Sequence, residues 1–573
     1  MAEAKVMSLH DAVASAVHDG DTVAMEGFTH LIPHAAGHEI IRQARRDLTL
    51  ARLTPDLVFD QLIGAGCARK LIFSWGGNPG VGSLHRFRDA IEQGWPAPLE
   101  VEEHSHAGLT ARYVAGASGL PFATLRGYAG TGLVGRTRLA TVTCPFTGER
   151  LAAVPALNPD VTIIHAQRAD RAGNVALWGI LGVQKEAVLA ASRAIVTVEE
   201  VVDELGEVPG SVVLPSWTVT AVARVPGGAH PSYAAGFSER DNAYYQGWDR
   251  ISRDRGTFSA WLDEVVMSAA ARDAAPAPSP NGTEKANSDT AAATTTAAAT
   301  DGALGTYSPE EMMAVAASRA LSDGAACFVG IGAPSTAANL ARATHAPGLV
   351  LVYESGCIGA KPTRLPLSIG DGQLAVTADS VVSVPEIFSY WLQAGRIDVG
   401  FLGAAQIDSF ANLNSTVVGD YDHPSVRLPG AGGAPEIASG CRRVLIMMKQ
   451  SPRSFVDRLD FRTSVGFGDG PGDRQRLGLT GAGPTMVITD LGILEPHPDT
   501  CELVLTRLHP GVTVEAARAA TGWDLRVAGA VGETAAPTPT RRELAATEPP
   551  TPTELAALRR LEATTRAHAE EQR

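Results

Sequence analysis

Two stretches of this chain echo each other twice, in the same order, and the expectation is two copies of one fold. Residues 7–19 and 310–323 both carry apolar side chains at three- and four-residue spacing, the pattern of a helix with one buried face. Each runs into Asp-Gly and a short hydrophobic strand, DGDTVAMEGFTH (19–30) beside DGAACFVGIGAP (323–334). Further on, DVTIIHAQRADRAGNVAL (160–177) pairs with DVGFLGAAQIDSFANLN (398–414). In both, Asp-Val starts a buried strand, an Asp follows ten residues on (Asp170, Asp408) and an Asn fourteen residues on (Asn174, Asn412). The echoes lie about 140 residues apart in the first copy and about 75 in the second, so the first carries insertions.

Between the copies, residues 270–305 hold no aromatic side chain and almost no large aliphatic one. Such a stretch buries too little apolar area to offset its ordering entropy, and it is expected to be a flexible linker. The expected organisation is therefore a domain over 1–269, the linker over 270–305, a second domain over 306–530, and a Pro/Thr-rich, then charged tail over 531–573 that ends in a short helix.

Apolar runs recur through both halves: VTIIHA (161–166), AIVTVE (194–199), LVLVY (349–353), LAVTA (374–378) and VGFLGAA (399–405). Runs apolar throughout, bounded by Gly and Asp, suit strands covered on both faces. Their alternation with helical patterns gives βαβ units and an open parallel sheet, so the expected class is α/β. Ligands of such sheets sit beyond the carboxyl ends of the strands. The residues just after each apolar run are where chemistry is expected.

After LVLVY comes Glu354, followed by Ser355, Gly356 and, further on, Lys361. A carboxylate leaving a buried strand into small residues is dry on one side and open to a ligand on the other, as a carboxylate nucleophile requires. Alone, a glutamate here also fits a cap or a salt-bridge partner. A second feature is PGAGGAPEIA (429–438), whose Gly430, Gly432 and Gly433 allow backbone N–H groups to point into a site as an oxyanion hole requires. A third is GIGAP (330–334), a turn through Gly330 and Gly332 that lacks the third glycine of a dinucleotide fingerprint.

These pieces resemble the class I CoA-transferase family in order as well as in type. Tyr353-Glu354-Ser355-Gly356 stands where that family has Ser-Glu-Asn-Gly; two of four positions differ, and the Glu and Gly are kept. VGIGAP resembles its Gly-Ile-Gly-x-Pro and PGAGGAPEIA its Gly-x-Gly-Gly loop, while 23–33 (VAMEGFTHLIP, with Gly27 and Phe28) and 169–175 (ADRAGNV) resemble its α subunit. Residues 99–109 (LEVEEHSHAGL), 230–254 and 509–528 look closest to the glutaconate and 3-oxoadipate type. The resemblance implies fused α- and β-subunit-like halves, each an open, mainly parallel sheet with helices on both faces, in tandem: the CoA-transferase fold. It implies Glu354 as nucleophile, Gly430, Gly432 and Gly433 as oxyanion donors, and CoA as a substrate transiently bonded to Glu354, with no permanently bound cofactor. It implies acyl-CoA and carboxylic acids as partners, and a homo-oligomer. It also places the segment holding His104, His106 and Arg112 beside the acyl pocket. The branch includes hydrolases of ring-cleavage CoA thioesters that lack the strand-end glutamate, so Glu354 favours transfer; hydrolysis, or non-catalytic ligand binding on the same fold, are the alternatives.

His104-Ser105-His106 could hold a metal as His-x-His, but no third ligand is suggested nearby, and none is expected. Lys361 and Arg364 are candidates for CoA phosphates or a substrate carboxylate, or plain solvated charges. A net charge of −14 argues against general nucleic-acid affinity. No apolar run approaches the roughly 18 residues of a membrane span, and the six scattered cysteines form no Cys-x-x-Cys pair. A cytoplasmic protein is expected.

Overall fold

The computed structural model describes residues 5–79, 81–268, 306–529 and 544–571. The expected linker and the Pro/Thr-rich 530–543 lie outside them. The first half is built on parallel strands β1 (Thr22–Glu26), β2 (Leu48–Ala51), β3 (Ala68–Phe73), β4 (Glu100–Glu103), β5 (Val161–Asp170), β6 (Arg193–Val202) and β7 (Ala221–Arg224), in the spatial order β7-β6-β5-β1-β2-β3-β4. The second uses β8 (Ala326–Val329), β9 (Val350–Tyr353), β10 (Val399–Leu402), β11 (Arg443–Met447) and β12 (Pro484–Ile488), parallel in the order β9-β8-β10-β11-β12. The two orders superimpose, β2-β1-β5-β6-β7 on β9-β8-β10-β11-β12. These are two similar α/β domains in tandem.

The repeated residues do the same work in each copy. Asp160 Oδ2 accepts the N–H of Thr22 at 2.8 Å, and Asp398 Oδ2 accepts that of Ala326 at 2.9 Å, so each ties the start of one central strand to its neighbour. Asp170 accepts the backbone and side-chain N–H of Asn174 at 2.9 and 2.6 Å; Asp408 accepts those of Asn412 at 2.9 and 2.8 Å. The helices before each copy's first strand, Leu9–Ala16 and Pro309–Arg319, are N-capped by Ser8 and Ser308 side chains. The insertions in the first half are β3, β4, helix His106–Ala117 and a small antiparallel sheet over Phe122–Leu125, Ala140–Thr143 and Arg150–Pro155.

One expectation changes. LAVTA is not a strand but part of a helix, Gly372–Thr377, because the Asp371 side chain caps the Gln373 N–H and of this helix only Leu374 is buried. The expected helix at the end of the tail is present and packs on the second half. Ala545–Ala546 adds to the second sheet, and helix Pro552–Glu571 buries Leu555 and Leu558 and pairs Glu554 with Arg319 and Arg559 with Glu311, each at 2.7 Å.

The halves meet across a buried ion pair. Arg427 Nη2 lies 2.5 Å from Glu103 Oε2, with both side chains 1% exposed or less, and Thr416 Oγ1 donates to Glu103 Oε1 at 3.1 Å. Breaking one side of such a pair strands the other charge, so Arg427→Ala should destabilise by roughly 3–5 kcal/mol, whereas replacing Glu103 and Arg427 together by leucine should recover most of the loss. Thermal unfolding of the single and double variants checks this.

Candidate active site

Glu354 is the first residue after β9, and the chain must turn at once to free its side chain. Gly356 makes the turn at φ +98°, where a Cβ would lie 1.9 Å from Val382 O. Facing it is the loop 429–433 and the N-terminus of helix Ala434–Gly440. The Gly433 N–H donates to the Glu354 carboxylate. Gly433 must be glycine for space rather than for φ, since an added Cβ would sit 2.2 Å from Glu354 Oε1.

The first half closes the other side. His106 begins helix His106–Ala117, capped by the Ser105 side chain, and its backbone N–H donates to Gly432 O at 2.8 Å. Its Nε2 stands 3.6 Å from Glu354 Oε2, and its ring meets Phe28 and Phe388 edge-on. Ser74 Oγ donates to Leu53 O at 2.7 Å and so accepts from His106 Nδ1–H, which leaves Nε2 without a proton. Burial lowers the His106 pKa to about 3, so the ring is neutral and its contact with Glu354 is no ion pair. Burial raises the Glu354 pKa to about 7 against the single opposing Gly433 N–H. The side chain keeps 18% exposure, enough for a ligand to reach it.

Other expected residues are placed differently. The Gly432 N–H donates to Ser74 O at 3.0 Å and that of Gly430 to Ser415 O at 2.9 Å, so of the three glycines only Gly433 offers its N–H to Glu354. His104 is fully buried among Glu102, Tyr128, Thr137 and Arg112, and Arg112 also bonds Glu102; neither faces Glu354. Lys361 pairs with Asp379, and Arg364 holds Asp371 through bonds of 2.6 and 3.0 Å, so neither is a free cation. Ser355 is buried, and its hydroxyl meets Cys357 Sγ at 3.6 Å. Gly27 accepts at its carbonyl from Arg52 at 2.7 Å. Gly332 takes φ +71° at the head of helix Ala333–Ala343, and Gly330 and Gly332 face open space, as a loop approached by a ligand would.

Sequence reasoning missed Phe388, Ser74 and Glu436. Glu436, 2% exposed, accepts from Ser105 Oγ at 2.6 Å, and burial, with Glu354 nearby, raises its pKa to about 8. Its signal was a lone acid in an otherwise apolar helix start following the glycines.

Comparison with known proteins accords with this geometry. A family model described as Coenzyme A transferase matches residues 6–224 and 310–520. The chain belongs to the coenzyme A transferase family. One stretch of 264 residues is 67% identical to the first of the two subunits of the 3-oxoadipate CoA-transferase of Pseudomonas knackmussii, covering 46% of this chain and 94% of that relative. Another stretch of 264 residues is 61% identical to the second subunit of the same enzyme, covering 46% of this chain and 96% of that relative. An acyl-CoA transferase from E. coli O157:H7, solved as a thioester complex with CoA, covers 95% of both chains with a TM-score of 0.67 at 16% identity, a likeness of fold alone. The chain is a CoA-transferase in which one polypeptide holds what the Pseudomonas enzyme divides between two.

Two outcomes follow for the site. Gly433→Ala should displace the Glu354 carboxylate and reduce kcat by roughly 100-fold, with little change in thermal unfolding. If the Glu354 carboxylate anion is the reacting form, its pKa of about 7 makes kcat/KM fall about tenfold per pH unit below that value and level off above it. A pH–rate profile of the purified enzyme checks the second.

Proposed function

We propose that this CoA-transferase moves CoA between an acyl-CoA and a linear dicarboxylic or 3-oxo acid, 3-oxoadipate first among the candidates, through a glutamyl-CoA thioester on Glu354. The observation that carries the proposal is a strand-end carboxylate, partly desolvated and open to approach, with one backbone donor aimed at it. The identity to both subunits of a 3-oxoadipate CoA-transferase supports the acid.

The Glu354 carboxylate attacks the thioester carbonyl, and CoA leaves as thiolate from the tetrahedral centre. The resulting acyl-glutamyl anhydride is attacked at the glutamyl carbon by that thiolate, which releases the first acid and leaves the enzyme thioester. The oxyanion of this second attack forms on Glu354 itself, where the Gly433 N–H already points. An incoming acid reverses the sequence, and the thioester bond energy stays in the enzyme until then. His106, neutral and with Nε2 unprotonated, adds no charge beside the nucleophile and with Phe28 and Phe388 keeps that flank dry. Hydrolysis is not favoured.

Action as a cytoplasmic homo-oligomer belongs to the same proposal. Its support is six free cysteines and the exposed side chains of Trp217 and Phe146; among the described residues no helix is long and apolar enough to cross a membrane.

Succinyl-CoA with 3-oxoadipate should exchange CoA, with acetyl-CoA and glutaconate as the comparison pair, and no CoA should be released without an acceptor acid. Glu354→Ala should lose exchange to background. Borohydride treatment of the CoA-loaded enzyme should convert Glu354 to an alcohol, visible in the mass of its peptide. Exchange retained by Glu354→Ala sinks the mechanism.

A further inference from the structure

Beside the nucleophile, and separate from it, lies a cavity of about 580 Å³ walled by both halves. Leu125, Leu139 and Leu151 line it from the small antiparallel sheet and its approach, and Leu477 and Leu479 from the second half; Glu354, His106 and Phe28 do not line it. The transfer chemistry leaves it unused.

Its inner wall carries Glu436. Oε1 of this carboxyl accepts the hydroxyl proton of Ser105, and Oε2 is buried without a partner. Glu436 lines the cavity, and an unpaired carboxyl oxygen buried in its wall is a polar group short of a partner. The Ser105 proton already sits against Oε1, and with the pKa raised to about 8 the acid's own proton stands on Oε2, making it a donor at neutral pH. Arg126, Arg150 and Arg476 also line the cavity and are exposed, which places the mouth there. Arg126 is tied to Glu149 and Arg476 to Asp473, each at 2.6 Å, while Arg150 has no ion pair among the described residues. The mouth therefore has one uncompensated guanidinium, suited to a single carboxylate rather than to a phosphate dianion.

We propose that this cavity is a second ligand site, for a linear oxo acid whose carboxylate meets Arg150, whose aliphatic middle lies between the leucines, and whose carbonyl oxygen accepts from Glu436 Oε2. Such a ligand reaches the nucleophile's surroundings without touching Glu354, since Glu436 holds Ser105, the cap of the helix that presents His106. The site stands independently of which acids are transferred.

Equilibrium titration of the full-length protein with 4-oxopentanoate, 5-oxohexanoate, 6-oxoheptanoate and 7-oxooctanoate tests it. At least one should bind saturably, and hexanoate, which lacks the oxo group, should bind more weakly. Arg150→Glu and Glu436→Leu should each weaken that binding by about tenfold or more, the loss of one strong polar contact. Glu436→Gln, whose amide can accept from Ser105 and still donate into the cavity, should retain binding, which guards against a misfolded leucine variant. Binding by none of the oxo acids, or binding indifferent to Arg150→Glu as capture at Glu354 would be, overturns the proposal. Failure of the transfer reading appears elsewhere, as absence of CoA exchange in the wild-type enzyme.

Discussion

The arrangement depends on one charge pair, Glu103 with Arg427, which joins two halves that would otherwise bury unpaired ions. Glu103 ends β4 and immediately precedes His104-Ser105-His106; Arg427 lies two residues before Pro429 and the glycine loop. The pair therefore clamps together the two segments that enclose Glu354. Around it the backbones interlock: Gly76 N–H donates to Pro429 O at 2.7 Å, Gly432 N–H to Ser74 O at 3.0 Å, and His106 N–H to Gly432 O at 2.8 Å. These bonds fix the glycine loop rigidly, and the second of them is why the Gly432 N–H is not available to substrate.

Rigidity has an electrostatic consequence. Glu354 and Glu436 flank the same loop, and burial raises both pKa values from an ordinary 4.5 to about 7 and about 8. The folded state thus holds these protons more tightly than the unfolded chain. The stability their neutral forms contribute is complete below about pH 4.5 and is lost as pH rises through 7 to 8. Ionising Glu354 works against the fold, and a Glu436 still carrying its proton spares the site a second charge beside the first.

Much of this was legible in the sequence because the informative residues make local, type-specific bonds. Asp160, Asp398 and the Asp-Asn pairs each meet a backbone N–H that any copy of this sheet must satisfy, so duplication showed through as repeated residues. Glu354 showed because its neighbours are a buried strand and a turn that needs glycine. What stayed hidden depends on partners distant in sequence. LAVTA has the composition of a strand, and only the absence of a neighbouring strand and the Asp371 cap make it a helix. Lys361 and Arg364 look like ligand cations until Asp379 and Asp371 appear beside them. Glycine spacing tells that N–H groups can converge, not whether Ser74 and Ser415 have already taken them.

The same interface explains why a single polypeptide suits this site. Glu354 and Gly433 come from one half, and His106, Phe28 and Ser74 from the other, so neither half holds a complete site. Separated, each half would also expose one member of the Glu103–Arg427 pair, and the pair's attraction would have to repay desolvation at every encounter. Covalent connection makes the encounter intramolecular, which raises the effective concentration of one half at the other. An interface of buried charge, backbone bonds and an apolar cluster shared by both halves can then stay closed at low protein concentration. The glycine loop keeps its place against Glu354 for the same reason.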